Sequence, residues 1–372
     1  MAHSDAAPPA RAAGVLDIDL AAIAENWRRL RQRLAPPVSA AAVVKADAYG
    51  LGVAQVTPAL AQAGCTLFFV ATLDEGMMLR QLLPTAEIAV LNGLLPGTSD
   101  EFRQARLVPV LNDLGQVAVW RDAADTRPLA AMIHIDTGMA RLGLSPSDVA
   151  RLAAAPEVLA PLKLRAVLSH LACADEPEQA ANAQQLGVFR GALAALPRAP
   201  ASLVASSGIF LGAEYHFDIA RPGAALYGVN PTPGAPNPMA QVVRLKGRIL
   251  QVRDVDRATT VGYGAAHRME RAGRIATVAV GYADGWLRSS SHRGSAAIAG
   301  QRVPVIGRIS MDLMTLDVTG IDPALTRPGA FVDLIDEQYG VDAVAAAAGT
   351  IAYEILTALG RRHHRIYRGG TT

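Results

Sequence analysis

Apolar residues recur along this chain in two rhythms, and the rhythm changes once. From residue 15 to about residue 228, short unbroken apolar runs alternate with stretches of helical spacing. Residues 15–18, 42–44, 67–70, 88–91, 107–111, 130–135, 164–168 and 203–205 are such runs. Runs of this length read as strands covered on both faces, as in a parallel sheet. Between them, Leu20, Ile23, Trp27 and Leu30, then Val53, Val56 and Leu60, fall on single helix faces. Asp74 is placed to cap the helix after 67–70, and residues 93–98 read as a turn. A strand-helix unit repeated about eight times predicts an α/β fold, with a closed (β/α)8 TIM-type barrel as the natural arrangement. Periodicity does not show closure, so a doubly wound open sheet stands as the alternative.

The Pro-rich stretch 231–238 reads as a stiff linker or loop. Beyond it the runs shorten and alternate, at 242–252, 275–280, 296–306 and 313–318, with turn residues such as Gly300 and Gly320. This is the pattern of a second, mainly β domain. Its last strong feature, 341–359, is Ala-rich and helical, and Arg361 to Arg365 read as a solvated basic end. The expected organisation is an N-terminal tail (1–14), an α/β barrel (15–238) and a C-terminal mainly-β domain (239–372).

Composition adds limits rather than detail. The 372 residues are 51% hydrophobic and 18% charged, enough for two sizeable cores. A net charge of +2 gives no footprint for nucleic acid or an anionic membrane. Cys65 and Cys173 are too few for a disulfide framework or a thiolate metal site, and Cys65 reads as a buried small hydrophobe. The tail lacks the apolar segment of a signal peptide, and no stretch is long and apolar enough to span a bilayer. A cytoplasmic protein without bound metal is expected.

The chemistry concentrates at predicted strand ends. Val43-Val44-Lys45-Ala46-Asp47-Ala48-Tyr49-Gly50 runs from a buried strand straight into an amine. Such a lysine either takes a carbonyl compound as a Schiff base or snorkels its ammonium out at the rim. Asp136 to Arg141, Ser169-His170, Ser206-Ser207-Gly208 and Arg221-Pro222-Gly223 follow other strands at the same end. A single polar strand end is explained by capping, but five at one barrel mouth point to a site. The glycines and serines there suit presentation of backbone N–H groups to a phosphate.

Taken in order, these segments resemble the alanine racemases. Gly50-Leu51-Gly52 extends the lysine motif; Val261-Gly262-Tyr263-Gly264, Gly281-Tyr282-Ala283-Asp284-Gly285 and Ser310-Met311-Asp312 complete the ordered set. The resemblance implies a pyridoxal 5'-phosphate enzyme in which Lys45 holds the cofactor as an internal aldimine. It implies that Tyr49, Ser207, Tyr353 and the N–H groups of Gly223 and Ala224 grip the phosphate. Arg221 would face the pyridine nitrogen, where arginine can only donate. It further implies two bases on opposite faces of the substrate, Lys45 for D-alanine and Tyr263 for L-alanine. A tyrosine with a reference pKa near ~10 needs help to act as a base, which His170 would supply. Tyr263 and Met311 would reach the site of a partner subunit in a homodimer with shared active sites. Arg141 would assist at the substrate carboxylate, while Asp175, Arg288, Tyr282 and Tyr353 would narrow the mouth to a methyl side chain.

One position departs from the family pattern. Where many relatives carry a carbamylated lysine beside the substrate-side arginine, this chain has His134, which forms no stable carbamate. The expectation is that His134 hydrogen-bonds locally, with a chloride as one option, and that Arg141 is held otherwise. A racemase of broader range, a barrel-type decarboxylase and a non-catalytic pyridoxal-phosphate carrier are the competing readings. Both biosynthetic and catabolic roles stay open.

Overall fold

The computed structural model describes residues 8–370. Of the expected tail, residues 1–7 lie outside the described residues. The rest is tied down, because Arg248 donates from Nε to the Ala12 carbonyl at 2.8 Å.

Seven parallel strands form one continuous sheet in chain order: Ala42–Val43, Leu67–Val70, Glu87–Val90, Val108–Leu111, Leu129–His134, Leu162–Leu168 and Ala201–Ser202. An eighth, Ile219–Ala220, pairs in parallel with Ser39–Ala40, which leads directly into the first. The Arg221 N–H donates to the Val204 carbonyl and the Val43 N–H to the Pro222 carbonyl, each at 2.9 Å. The ring is thereby closed, and the open-sheet alternative falls. Phe68, Phe69, Ile88, Val110, Ile133 and Leu203 are fully buried, as strands covered by helices on one face and barrel interior on the other must be.

Local chemistry sets the helix starts. The Asp19 side chain accepts from the Ala22 N–H at 2.8 Å, opening helix Leu20–Gln32, whose Leu20, Ile23, Trp27 and Leu30 are buried as their spacing predicts. Helix Leu73–Leu82 is capped by Thr72, in a reciprocal box with Glu75, rather than by Asp74. Asp74 sits in the first turn, where a carboxylate still favours the helix N-terminus.

The second unit is an eight-stranded, mostly antiparallel sheet. Its 13-residue strand Val243–Val255 pairs with Phe331–Ile335, Gly273–Val278 and Gly14–Asp19. The order through Met314–Asp317, Gln301–Ile306 and Ser295–Ile298 returns to Phe331–Ile335, so this sheet also closes on itself. Two expectations change here. Gly14–Asp19, grouped with the barrel by sequence, belongs to this sheet, antiparallel to Val243–Val255 and parallel to His364–Arg368. The basic end runs into that last strand: Arg361, Arg362 and His364 are exposed as expected, but His363 is buried on the Asp284 carbonyl (2.8 Å), and Arg362 pairs with Asp284 and Asp312. The helical stretch 341–359 is two helices, Val341–Ala348 and Ala352–Ala358, bent by 100° after a left-handed Gly349. Among the described residues no single helix is long and apolar enough to cross a membrane.

The Pro-rich connection folds back onto the barrel. Fully buried Asn26 donates to the carbonyls of Leu226 (3.2 Å) and Ala240 (2.9 Å) and accepts from the Ala240 N–H (2.7 Å). One side chain thus closes three backbone groups at the junction. Asn26→Ala should destabilise the protein by about 2–4 kcal/mol, since those groups lose partners away from water. The urea midpoint measures it, and a change below about 0.5 kcal/mol would show that water replaces the amide.

Candidate active site

The barrel's C-terminal mouth is organised by the segment after Val43. Lys45 leaves the strand and the next four residues, Ala46, Asp47, Ala48 and Tyr49, all have φ between 53° and 56°. Left-handed backbone costs an L-residue roughly 1–2 kcal/mol, so four in succession need external support. Glu75 supplies part of it. Its Oε1 accepts from the Ala46 N–H at 2.7 Å, and its Oε2 accepts from Ala71 at 2.7 Å and Thr72 at 3.3 Å. The Asp47 side chain accepts from the Val53 N–H at 2.8 Å. The turn aims Lys45 into a cavity of about 500 Å³. Burial, aided by Arg141, lowers its amine pKa and favours the neutral nucleophile, with Glu75 opposing.

The cavity wall is cationic and holds neutral histidines. Arg221 is buried, and burial lowers its pKa to about 10, which still leaves it charged at neutral pH. Its guanidinium donates to the Ser202 hydroxyl, to the Ser169 carbonyl at 2.5 Å and to His170 Nδ1 at 3.5 Å. His170 therefore carries its proton on Nε2. Burial, then Arg221 and Arg141, push His170 down to about 3 and His134 to about 4. His134 Nδ1 lies 2.8 Å from Asn112 Oδ1.

Beside Tyr49 the cavity lining is shaped for close backbone approach. A Cβ on Gly223 would lie 2.3 Å from the Tyr49 hydroxyl. The Ser206 hydroxyl accepts from Gly223 (3.0 Å) and Ala225 (3.1 Å). The intervening Ala224 is buried, and its N–H has no acceptor among the described residues. Tyr49 packs on Tyr227 with centroids 4.7 Å apart, and Tyr353 stands 6.1 Å away. Burial and the neighbouring Tyr353 raise the Tyr49 pKa, keeping its hydroxyl a donor. Ser207, Asp175 and Tyr353 line an adjoining cavity of about 530 Å³ that also touches His170 and Ser206.

Lys45, Tyr49, Arg141, His170, Arg221, Gly223, Ala224 and Tyr353 thus border one cavity, and Ser207 its neighbour. Tyr263 and Met311 border neither within one chain. They lie on the β domain, 70% and 54% exposed, with Tyr282 at 43% and Arg288 nearby in sequence. Ser310 and Met311 carbonyls accept from Tyr282 (3.1 Å) and Ala283 (2.9 Å), while Gly262 and Gly264 abut Arg308. The strand-end loop 307–311 therefore gathers the Tyr263 and Tyr282 turns. Sequence reasoning passed over Glu75, Asn112 and Ser202; a Thr72-x-x-Glu75 capping box and a polar residue after Val108–Leu111 were the signals for the first two.

Comparison with known proteins gives one answer throughout. The N-terminal domain family of alanine racemase matches residues 18–231, and the C-terminal domain family matches 242–367. The alanine racemase of Rhodospirillum rubrum is 50% identical over 99% of this chain and 98% of its own length. A catabolic alanine racemase of Mesorhizobium japonicum is 49% identical, covering 97% of this chain and 95% of the relative. Among solved structures, alanine racemase from Bartonella henselae with covalently bound pyridoxal phosphate superposes with a TM-score of 0.93. It shares 38% identity, with 96% of this chain and 99% of that one covered.

Two outcomes follow from this geometry. Glu75→Ala leaves three amide N–H groups without their charged acceptor, so it should cost about 2–3 kcal/mol in urea unfolding and loosen pyridoxal phosphate retention. An unaltered protein on both counts would mean the left-handed turn holds itself. The second concerns pH. His134 and His170 have folded pKa values near 4 and near 3 against 6.5 when free. As pH falls below 6.5 the unfolded chain binds protons that the folded chain refuses. Stability present above that pH should then decline toward pH 4 by up to about 1.4 kcal/mol per pH unit per histidine. A urea midpoint flat from about pH 7 to about pH 5 would mean both rings are charged in the fold.

Proposed function

Because the chain belongs to the alanine racemase family, pyridoxal-phosphate-dependent isomerases, we propose that it interconverts L-alanine and D-alanine with two bases from two copies of the chain. The observation that carries this reading is the half-buried Lys45 amine, its pKa lowered, facing a cationic barrel mouth, while Tyr263 stands exposed on the other domain. A second copy supplies Tyr263 to complete each site, so the working unit is a homodimer with shared active sites. Residues 15–238 and 239–372 are its two functional units, the first strand of the former being lent to the latter's sheet.

The residues present suit the cofactor. An orphaned Ala224 N–H, the Gly223 cradle and the Tyr49 donor line the same cavity as the Lys45 amine. Lys45, Tyr49, Ser207, Tyr353, Gly223 and Ala224 hold it, Gly223 through the space its missing side chain leaves, since its N–H already serves Ser206. When bound, pyridoxal phosphate supplies a conjugated electron sink for the pair left at the α-carbon. Arg221, which can only donate, caps the ring nitrogen. Arg141 and the Met311 N–H of the second copy orient the substrate carboxylate.

Proton movement falls to the protein. Lys45 takes or returns the α-proton on the D-alanine face, and Tyr263 of the second copy does so on the L-alanine face. His170 accepts from Arg221 at Nδ1 and so presents Nε2–H as a donor, which favours the phenolate that a tyrosine base requires. Asp175, Arg288, Tyr282 and Tyr353 keep the mouth narrow. The reversible reaction serves D-alanine supply for peptidoglycan or alanine catabolism, in the cytoplasm, whose reducing conditions suit two unpaired cysteines.

Both enantiomers of alanine should lose their α-proton in heavy water. A Lys45→Ala protein mixed with Tyr263→Ala should regain activity by subunit exchange. Heterodimers that form and stay inactive would reject shared sites. Retained α-protons would favour a cofactor carrier, and released carbon dioxide a decarboxylase.

A further inference from the structure

The cavity wall carries an unpaired donor and an unpaired acceptor. Both hydrogens of the Asn112 amide are engaged, one to the Leu91 carbonyl at 3.1 Å and one to the Val110 carbonyl at 2.9 Å. Its Oδ1, facing His134 Nδ1 at 2.8 Å, can therefore only accept. Nδ1 must carry the imidazole proton, which leaves Nε2 as a lone pair. No described residue donates to that lone pair, yet His134 lines the same cavity as Arg141. The Arg141 guanidinium, with five donors, also makes no hydrogen bond or ion pair among the described residues. Asp136, the carboxylate of the same loop, is turned to its own backbone: Oδ1 accepts from Gly138, Met139 and Ala140, and Oδ2 from Ala140.

We infer that His134 is a positioning residue: its Nε2 accepts from the Arg141 guanidinium and fixes the arginine that orients the substrate carboxylate. This rests on the racemase reading for what Arg141 does; the two groups line one cavity without partners, and they pair in the loaded site. It also revises the expectation of a chloride at His134, because a lone pair repels an anion. The charged and titratable groups that act on this imidazole are Arg141, Arg221, Asp136 and the neutral His170. The two arginines, with burial, disfavour a second proton, so the ring stays an acceptor through the neutral range.

Asn112 is then a tautomer lock, and changing it should change the sign of the contact. Asn112→Asp places a carboxylate on Nδ1 and draws a second proton onto the ring, so that Nε2–H points at Arg141. In that variant KM for alanine should rise by about tenfold as pH falls through the raised imidazole pKa, and recover above it. Wild-type KM should show no such limb. His134→Phe removes the acceptor and should raise KM by about tenfold with a smaller change in kcat. His134→Gln, which keeps an acceptor oxygen, should restore most of it.

The direct readout is the ¹⁵N resonance of His134 Nε2 in the cofactor-loaded enzyme, assigned by its loss in His134→Gln. It should be imine-like from about pH 6 to about pH 9. A pyrrole-type N–H signal, or a KM that depends on halide concentration, overturns the inference. If the wild-type protein exchanges no α-proton, the racemase reading fails instead, and the nitrogen resonance still decides the pairing.

Discussion

The whole site depends on four residues held in a backbone conformation they would not choose. The left-handed turn from Ala46 to Tyr49 costs about 4–8 kcal/mol in intrinsic preference, comparable with the net stability of a domain. It persists because its contacts come from three directions. Glu75 holds Ala46 from the neighbouring strand end, and Asp47 holds the start of helix Val53–Gln62. The second domain closes it from behind, where Arg365 donates to the Gly50 carbonyl at 2.8 Å and Tyr367 to that of Leu51 at 2.9 Å. With the turn so determined, Lys45 enters the cavity as a fixed amine and Tyr49 as a fixed donor. Backbone strain is here the means of preorganisation.

Electrostatics follows from what surrounds that amine. Lys45, Arg141 and Arg221 share one cavity wall, and the nearest carboxylates, Asp136 and Glu75, are turned to backbone N–H groups. A concentrated positive field without a free counter-charge has two effects. Added to burial, the larger cause, it lowers the lysine's affinity for a proton and disfavours protonation of His134 and His170. It also favours anionic groups such as a phosphate ester and a carboxylate. Neutral imidazoles in that field act through their lone pairs and single N–H groups, and Arg221 and Asn112 decide which nitrogen is which.

Much of this was legible in the chain. Seven of the eight apolar runs mark barrel strands, legible because a strand covered on both faces has no polar side to show, and the strand-end rule found Lys45, Arg141, His170 and Arg221. Closure was not legible, since it depends on pairing between Ile219–Ala220 and Ser39–Ala40, some 180 residues apart in sequence (about the length of a whole domain). The strand Gly14–Asp19 was misgrouped because its partners are likewise remote. His364–Arg368 hid beneath its charges, which are neutralised only in context, as when Arg368 meets Asp17. Tyr263 and Met311 became candidates through resemblance alone; nothing in one chain's packing explains two such exposed side chains.

The exposed pair and the buttressed turn are two sides of one design. The β domain reaches the lysine turn of its own chain through its last strand, with Arg365 and Tyr367. It also presents Tyr263, Tyr282 and Met311 outward, gathered by loop 307–311. Truncating the C-terminal strand should then do more than remove a terminus. It withdraws one of the three braces on the turn that aims Lys45, the one on Gly50 and Leu51. The sheet is therefore part of what holds the barrel's lysine turn in place.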